Sequence, residues 1–405
     1  MAERSTLKLG VMVSSLAYDH GTEELTIGEP QLCKALALAA KTLAIDLYLF
    51  QPADYNQRGL LTGYRYLATG WRKQQVPLPD LIYDRSFASS PAAALSNRML
   101  LHAMHCKKPF KRLNALLPSK WKVYRILKQN DALLPYLPET MLLTSHLQMI
   151  EQLNKKPGGL IIKPISGMQG RGIISIQKQA ASERIHIRGR TRSNRPFMQN
   201  IENTAALFQK LHTIIKSRRY IMQPLLSLTD HMSRPFDIRI LMQKDHKGIW
   251  LLTGAAIRCG SSGGVTSNLH GGGTAYPIDQ FLASRYSKEE LELLRNTLTA
   301  ICVQAAHTLE RRLGKFAELA FDFGLDQQQA LWLLEVNSKP GRSSFKATGD
   351  IAAQSLSILQ PLHYAKYLYG ISKPNHVFRV ANQGRQQLIA NNSRLRPLNV
   401  QEVHR

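Results

Sequence analysis

The sequence predicts an α/β protein, and three observations predict it. Strand-like and helix-like segments alternate through residues 1 to about 112. A glycine-rich turn joins two strands near residue 167, and two apolar strands around a polar turn lie between Phe316 and Val336. The chain has 405 residues, enough for two or three compact units. With 44% hydrophobic and 20% charged residues it can bury a sizeable core, which excludes wholesale disorder.

The elements follow in order. Leu7 to Ser14 reads as a first strand. Glu29 to Thr42 has helical spacing at Leu32, Ala35, Leu36 and Ala39, with Pro30 suited to a first turn. Ile45–Phe50 and Leu81–Tyr83 are strands, the latter after the Pro77/Pro79 break, and Pro91 to His105 is a helix. This βαβ grammar predicts a small open α/β domain without the Rossmann glycine fingerprint. Ser119 caps a helix over Lys120–Gln129, which ends before the Pro135–Pro138 break. A short helix near Leu147–Leu153 precedes strands Gly159–Pro164 and Ile173–Gln177. Beyond them come strands Tyr220–Gln223, Ile238–Gln243 and Trp250–Ile257, then an amphipathic helix from Lys288 to Arg312. The region closes with strands Phe316–Phe323 and Leu331–Val336, and a weakly packed tail is expected from residue 371 onward.

Composition narrows the function classes. Four widely spaced cysteines without a CxxC pair exclude a disulfide scaffold and disfavour structural zinc. No apolar run reaches the ~18 residues of a membrane helix. The first apolar stretch leads into Tyr18-Asp19-His20-Gly21 rather than a cleavage site, so a cytoplasmic protein is expected. Lys and Arg number 53 against 28 Asp and Glu, a net charge of +25 that attracts anions. Arg184, Arg188, Arg190, Arg192 and Arg195 cluster locally, as a solvated hairpin face or a polyanion site. Nucleic acid is disfavoured because only Phe197 lies among these cations.

The segment Gly314–Arg342 carries the densest chemistry. With period-2 alternation, Ala317, Leu319, Phe321 and Phe323 share an apolar face, and Glu318, Ala320 and Asp322 share the other. In the second strand Trp332, Leu334 and Val336 oppose Leu333, Glu335 and Asn337. A hairpin centred between Gln328 and Gln329 sets Asp322 opposite Glu335. Asp322, Glu335 and Asn337 then offer oxygen ligands alone, which select a hard ion such as Mg²⁺ or Mn²⁺ and predict a nucleotide triphosphate nearby. Solvated strand residues are the plain alternative. Upstream, Lys163 precedes Gly167, Gly170 and Gly172 in a turn whose backbone amides can approach anions, although a flexible hairpin explains the glycines equally well. Asp237 and Arg239 share a strand face, Arg258 ends another strand, and Asn268 sits among further glycines.

In this order the motifs resemble the ATP-grasp fold over about residues 113–345. The phrases SKWKVYRIL, YLPET, RPFDIRILMQKD and VTSNLHGGG resemble the YheC/YheD family of endospore-coat-associated proteins over nearly the full length. The resemblance implies an N-terminal α/β domain (1–112), a small lobe with a glycine-rich flap (113–226), a large lobe with a magnesium site (227–370) and a basic tail (371–405). It implies Lys120 and Lys163 on the α- and β-phosphates, and a flap of Gly167, Gln169, Gly170 and Gly172. The hinge Gln223-Pro224-Leu225 would meet the adenine, chiefly through Leu225, with Asp230 a candidate for the ribose. Arg239, Arg258 and Asn268 would steady the transferred phosphate, and Asp322, Glu335 and Asn337 would ligate Mg²⁺ (or Mn²⁺).

The activity so implied is an ATP-dependent carboxylate–amine (or thiol) ligase working through an acylphosphate, in the cytoplasm or at the forming endospore coat. Its acceptor is unidentified; an anionic polymer or spore-coat proteins are candidate partners. The alternatives are a non-catalytic nucleotide-binding coat protein and an ATP-grasp kinase acting on an anionic substrate.

Overall fold

Strands that are apolar at almost every position need cover on both faces, and the central strands of the first sheet are of this kind. The computed structural model describes residues 6–18, 25–179, 184–267, 269 and 272–370. In chain order the first part contains β1 (Leu7–Met12), a hairpin of β2 (Leu16–Tyr18) and β3 (Leu25–Ile27), α1 (Pro30–Thr42) and β4 (Ile45–Phe50). A second hairpin of β5 (Leu61–Leu67) and β6 (Gly70–Val76) follows, then β7 (Leu81–Asp84), α2 (Pro91–Lys107) and β8 (Lys111–Arg112). The sheet order is β6-β5-β4-β1-β7-β8, with β1 parallel to β4 and β7. The β5–β6 hairpin, unforeseen in the sequence, extends this sheet with a half-exposed, charge-bearing edge.

The second sheet is antiparallel. After α3 (Lys120–Leu127) come β9 (Met141–Leu143), α4 (His146–Lys155), β10 (Leu160–Pro164), β11 (Ile174–Lys178), β12 (Ile185–Arg190), β13 (Pro196–Ile201), α5 (Thr204–Ile215) and β14 (Tyr220–Pro224). Their order is β13-β12-β11-β10-β14-β9. Leu160, Ile162, Ile174, Ile176, Ile185 and Ile187 form one apolar face, packed with Met149, Leu153, Leu207 and Leu211 from α4 and α5. Alternation therefore leaves Lys163, Gln177, Arg188 and Gln223 on the other face. The small lobe expected to begin at residue 113 gains its first strand only at Met141. Val123, Ile126, Leu127 and Leu133 instead join the core of the third sheet, because the apolar stripe of α3 meets α7 there.

That third sheet comprises β15 (Phe236–Lys244), β16 (Trp250–Cys259), β17 (Thr274–Tyr276), β18 (Glu318–Leu325) and β19 (Leu331–Asn337), in the order β17-β16-β15-β18-β19. Helices α6 (Ile278–Leu282) and α7 (Lys288–Leu313) lie between β17 and β18 in sequence. A Ser287/Glu290 capping box starts α7, whose Leu291, Leu294, Leu298, Ile301 and Leu309 enter the core. After β19 come α8 (Ser343–Ala347) and α9 (Ile351–Gly370); Leu362, Tyr364 and Ala365 of α9 pack into the core of the first sheet. Among the described residues no helix is long and apolar enough to cross a membrane. The four cysteines are free, with Cys106 exposed and the others buried. The tail from residue 371 lies outside the described residues.

The β18–β19 pairing departs from the uniform register expected. Phe323 pairs with Leu333, but Asp322 pairs with Glu335, so Leu334 is one extra residue in β19. Leu333 and Val336, rather than Leu334 and Val336, consequently join the core.

Asn114 joins the segment before α3 to this hairpin. Its Oδ1 accepts from the amides of Ala317 (2.7 Å) and Glu318 (3.1 Å), and its Nδ2 donates to the Ser338 carbonyl at 2.6 Å. Asn114→Ala should destabilise the protein by about 2–4 kcal/mol, because several buried polar groups lose a partner together. Chemical denaturation would detect this, and an unchanged midpoint would contradict the bridging role.

Candidate functional site

Side chains from the second and third sheets and from α3 line one cavity of about 1620 Å³. Pockets for a single small ligand are usually about 300–1,000 Å³, so this one has room for two. Of the residues singled out in the sequence, Lys120, Lys163, Gly167, Gln169, Gly170, Gln223, Leu225, Arg239, Arg258, Asp322, Glu335 and Asn337 all line it. Gly172 lies at the flap's end with φ +76°, where a Cβ would come within 3.0 Å of the Tyr220 hydroxyl. Asn268 lies outside the described residues.

The oxygen cluster is held by the sheet. Asp322 stands opposite Glu335 and Asn337 lies two residues further along β19, so all three share a face. Arg239 donates to Asp322 at 2.5 and 3.1 Å, and Arg258 reaches it at 3.0 Å. Burial would raise the Asp322 pKa, but the two guanidiniums hold it below the usual carboxylate value. Lys120 pairs with Glu335. Asp237 and Ser267, given no role by the sequence, complete the arrangement. Arg258 donates to both Asp237 oxygens at 2.7 and 2.6 Å, and the Ser267 hydroxyl donates at 2.5 Å. Two carboxylates and an amide are too few donors for a closed metal cage. They fit a hard divalent cation that brings waters and ligand oxygens of its own.

The glycine-rich turn between β10 and β11, expected as the flap, leaves several of its amides available to a ligand. Gln169 (φ 60°), Gly170 (φ 72°) and Gly172 (φ 76°) turn the chain through the left-handed region. The amides of Gly167, Met168, Gln169 and Gly170 donate to no protein acceptor among the described residues. Lys163 stands at the base of this loop, where burial lowers its ammonium to about 8 against the pull of Glu335 in the other direction.

Two of the expected ligand contacts involve groups already engaged within the protein. Asp230 does not line the cavity. It is 6% exposed and closes the turn before β15, accepting from the Met232 and Arg234 amides (3.0 and 2.8 Å) and from the Arg234 side chain (2.8 Å). Burial would raise its pKa, yet these bonds lower it. A carboxylate so occupied has no oxygen to offer a ribose. At the hinge, the Leu225 amide donates to the Gly159 carbonyl at 2.9 Å, leaving only its carbonyl for a ligand, while the Gln223 side chain is tied to Thr140 at 2.7 Å.

A second charged cluster anchors the loop after Asn337. Glu318, fully buried, accepts from Arg342 (2.5 Å), Tyr83 (2.6 Å), Gln243 (2.9 Å) and Arg85 (3.1 Å). Arg85 and Arg342 also donate to the Pro340 carbonyl at 2.9 and 2.5 Å, and Lys339 reaches Asp84 at 2.8 Å. The first sheet thereby fixes the segment carrying Asn337. No local sequence signal announces this, because Tyr83 and Glu318 lie 235 residues apart.

Comparison with known proteins places these features in context. Residues 110–368 match the family model described as YheC/D-like ATP-grasp. The chain is 28% identical over 339 residues to the endospore coat-associated protein YheC of Bacillus subtilis (strain 168), covering 82% of this chain and 91% of that one. It is 29% identical over 325 residues to YheD of the same organism, covering 77% and 68%. Its fold is similar to that of the macrocyclase MdnC bound with precursor peptide MdnA from Microcystis aeruginosa MRC, with TM-score 0.50, 9% identity and coverage of 90% and 100%.

Lys163 makes the site pH-sensitive. Its folded-state pKa, about 8, lies below the unfolded 10.5, so the folded chain binds fewer protons between those values. The cost of burying its charge is full below pH 8 and fades as pH rises toward 10.5, while its attraction for an anion at the loop is lost as pH rises through about 8. NMR of lysine-labelled protein should find one ammonium titrating near 8, absent in Lys163→Met. No such resonance would refute this.

Proposed function

The chain belongs to the YheC/D-like ATP-grasp family, and from that premise we propose that it is an ATP- and Mg²⁺-dependent ligase joining a carboxylate to an amine or thiol through an acylphosphate. One observation carries this reading: a row of free flap amides, Lys163, Lys120 and the Asp322/Glu335/Asn337 oxygens face a single cavity between two sheets. Cations and carboxylates are now paired with each other. With a polyphosphate and a divalent cation bound, Asp322 and Glu335 would hold the cation and the basic side chains would pair with phosphate oxygens instead.

In this reading Lys120 and Lys163 hold α- and β-phosphate oxygens, and the amides of residues 167–170 cover the tail. Arg239 and Arg258 turn from Asp322 toward the transferred phosphoryl group. Asp322, Glu335 and Asn337 hold Mg²⁺ or Mn²⁺, which neutralises the phosphate tail when bound. The donor carboxylate oxygen bonds to the γ-phosphorus as the bond to the β,γ-bridging oxygen breaks, releasing ADP. The amine nitrogen or thiol sulfur then attacks the acyl carbon, phosphate leaves, and the nucleophile's proton passes to solvent. Positioning and charge neutralisation supply the acceleration, so no dedicated general base is required. The coat association in the names of YheC and YheD supports a role at the endospore coat.

Hydroxylamine as a surrogate amine tests the chemistry. With Mg²⁺, ATP and a panel of carboxylates, the protein should form a hydroxamate together with equal amounts of ADP and phosphate. Lys163→Ala should lower the rate by about 10²-fold or more while remaining folded. ADP release with the phosphoryl group retained on the product would instead identify a kinase. Nucleotide binding without turnover on any carboxylate would favour a structural coat protein.

A further inference from the structure

The least exposed arginines of the cavity wall are not alike. Arg239 and Arg258 share Asp322, and Arg342 holds Glu318. Arg188 of β12 has no carboxylate partner among the described residues. It meets only neutral oxygens, Gln177 Oε1 at 3.2 Å and the Gly263 carbonyl at 3.5 Å, and its Nε is buried with nothing to donate to. Across the cavity, the Thr266 hydroxyl is likewise buried and unpartnered. Both residues line the cavity, and Gly263, which Arg188 already approaches, lies three residues before Thr266.

Sheet register says where in the cavity this is. Ile161 on β10 stands opposite Ser175 on β11, which stands opposite Arg188, so Arg188 lies two strands beyond Lys163's strand, away from the hinge strand β14. At the usual strand spacing that is about 10 Å. The facing sheet runs in the same sense, from Glu335 on β19 through Asp322 on β18 and Arg239 on β15 to Arg258 on β16 and the loop holding Thr266. The two unpartnered groups therefore sit past the end of the nucleotide region, in the part of the cavity left for another molecule.

We propose that Arg188 and Thr266 form an anion subsite for the ligase's second substrate, recognising a carboxylate or phosphoryl group other than the reacting one. The inference rests on the ligase reading for what the bound molecule is, but not for where the anion binds. A guanidinium presents Nε–H and Nη–H as a fork matched to two oxygens of one anion, and the threonine hydroxyl supplies a third donor from the loop after β16. The net charge of +25 draws such molecules toward the mouth.

Calorimetric titration of the full chain loaded with Mg²⁺ and AMPPNP tests this. The probes are tri-L-glutamate for carboxylates, O-phospho-L-serine for phosphoryl groups and tri-L-glutamine as the neutral control. One of the two anions should bind and the control should not. Arg188→Gln should weaken that binding by about tenfold or more, and Arg188→Lys, which keeps the charge without the fork, by less. Thr266→Val should weaken it severalfold, and AMPPNP affinity should stay within about twofold throughout, since the proposal places no nucleotide contact on either residue. The proposal is overturned if neither anion binds, if the variants bind like the parent, or if Arg188→Gln loses AMPPNP instead. Failure of the ligase reading is distinguishable: the anion would still bind, but no carboxylate would support ADP release.

Discussion

One extra residue in β19 governs the site. The turn at Asp326–Gln329 sets a register in which Phe323 meets Leu333, and continuing it would pair Asp322 with Leu334 and turn Glu335 toward Phe321 and Phe323. An ionised carboxylate in that apolar layer would cost several kcal/mol or be forced neutral. The bulge at Leu334 shifts the pairing by one, keeps Leu333 and Val336 in the core, and returns Glu335 and Asn337 to the face of Asp322. The oxygen cluster and its surrounding cations depend on that shift.

Charge compensation then divides β18 between two tasks. Asp322, facing the cavity, is shared by Arg239 and Arg258, the partners that the proposed reading has a polyphosphate draw away. Glu318, four residues earlier and fully buried, is enclosed by Arg85, Arg342, Tyr83 and Gln243. Removing one partner from a buried pair of the second kind leaves a charge stranded, which is far more costly than losing a solvated ion pair. The first sheet, through Asp84, Arg85 and Tyr83, thus supports the loop after Asn337 although it contributes no member of the oxygen cluster.

How far the sequence could be read depended on the range of each interaction. Alternation in β18 and β19 is a local property, and it predicted which side chains share a face, except where the bulge interrupts it. The flap was recognisable because positive backbone angles demand glycine at Gly170 and Gly172. Asp230 looked available in sequence, yet its oxygens are taken by Arg234 and Met232 in a turn that closes before β15. Arg188 looked like one member of a basic hairpin, and nothing nearby in sequence distinguishes it from Arg190, which pairs with Asn194 four residues on.

By itself the sequence determined many of the strands and helices, though not the β5–β6 hairpin or α9, together with the hard-oxygen character of Asp322, Glu335 and Asn337 and the likeness that placed the chain in its family. These follow from periodicity, residue chemistry and motif order, which any short window preserves. Only the tertiary structure decided that α3 packs with the third sheet, that the Leu225 amide is already committed, that Glu318 fixes the Asn337 loop, and that Arg188 reaches Thr266's side of the cavity without a carboxylate partner among the described residues. Each of these depends on which distant groups meet once apolar faces are buried, and the hydrogen-bond partners of a buried polar atom are settled only when the surfaces around it close.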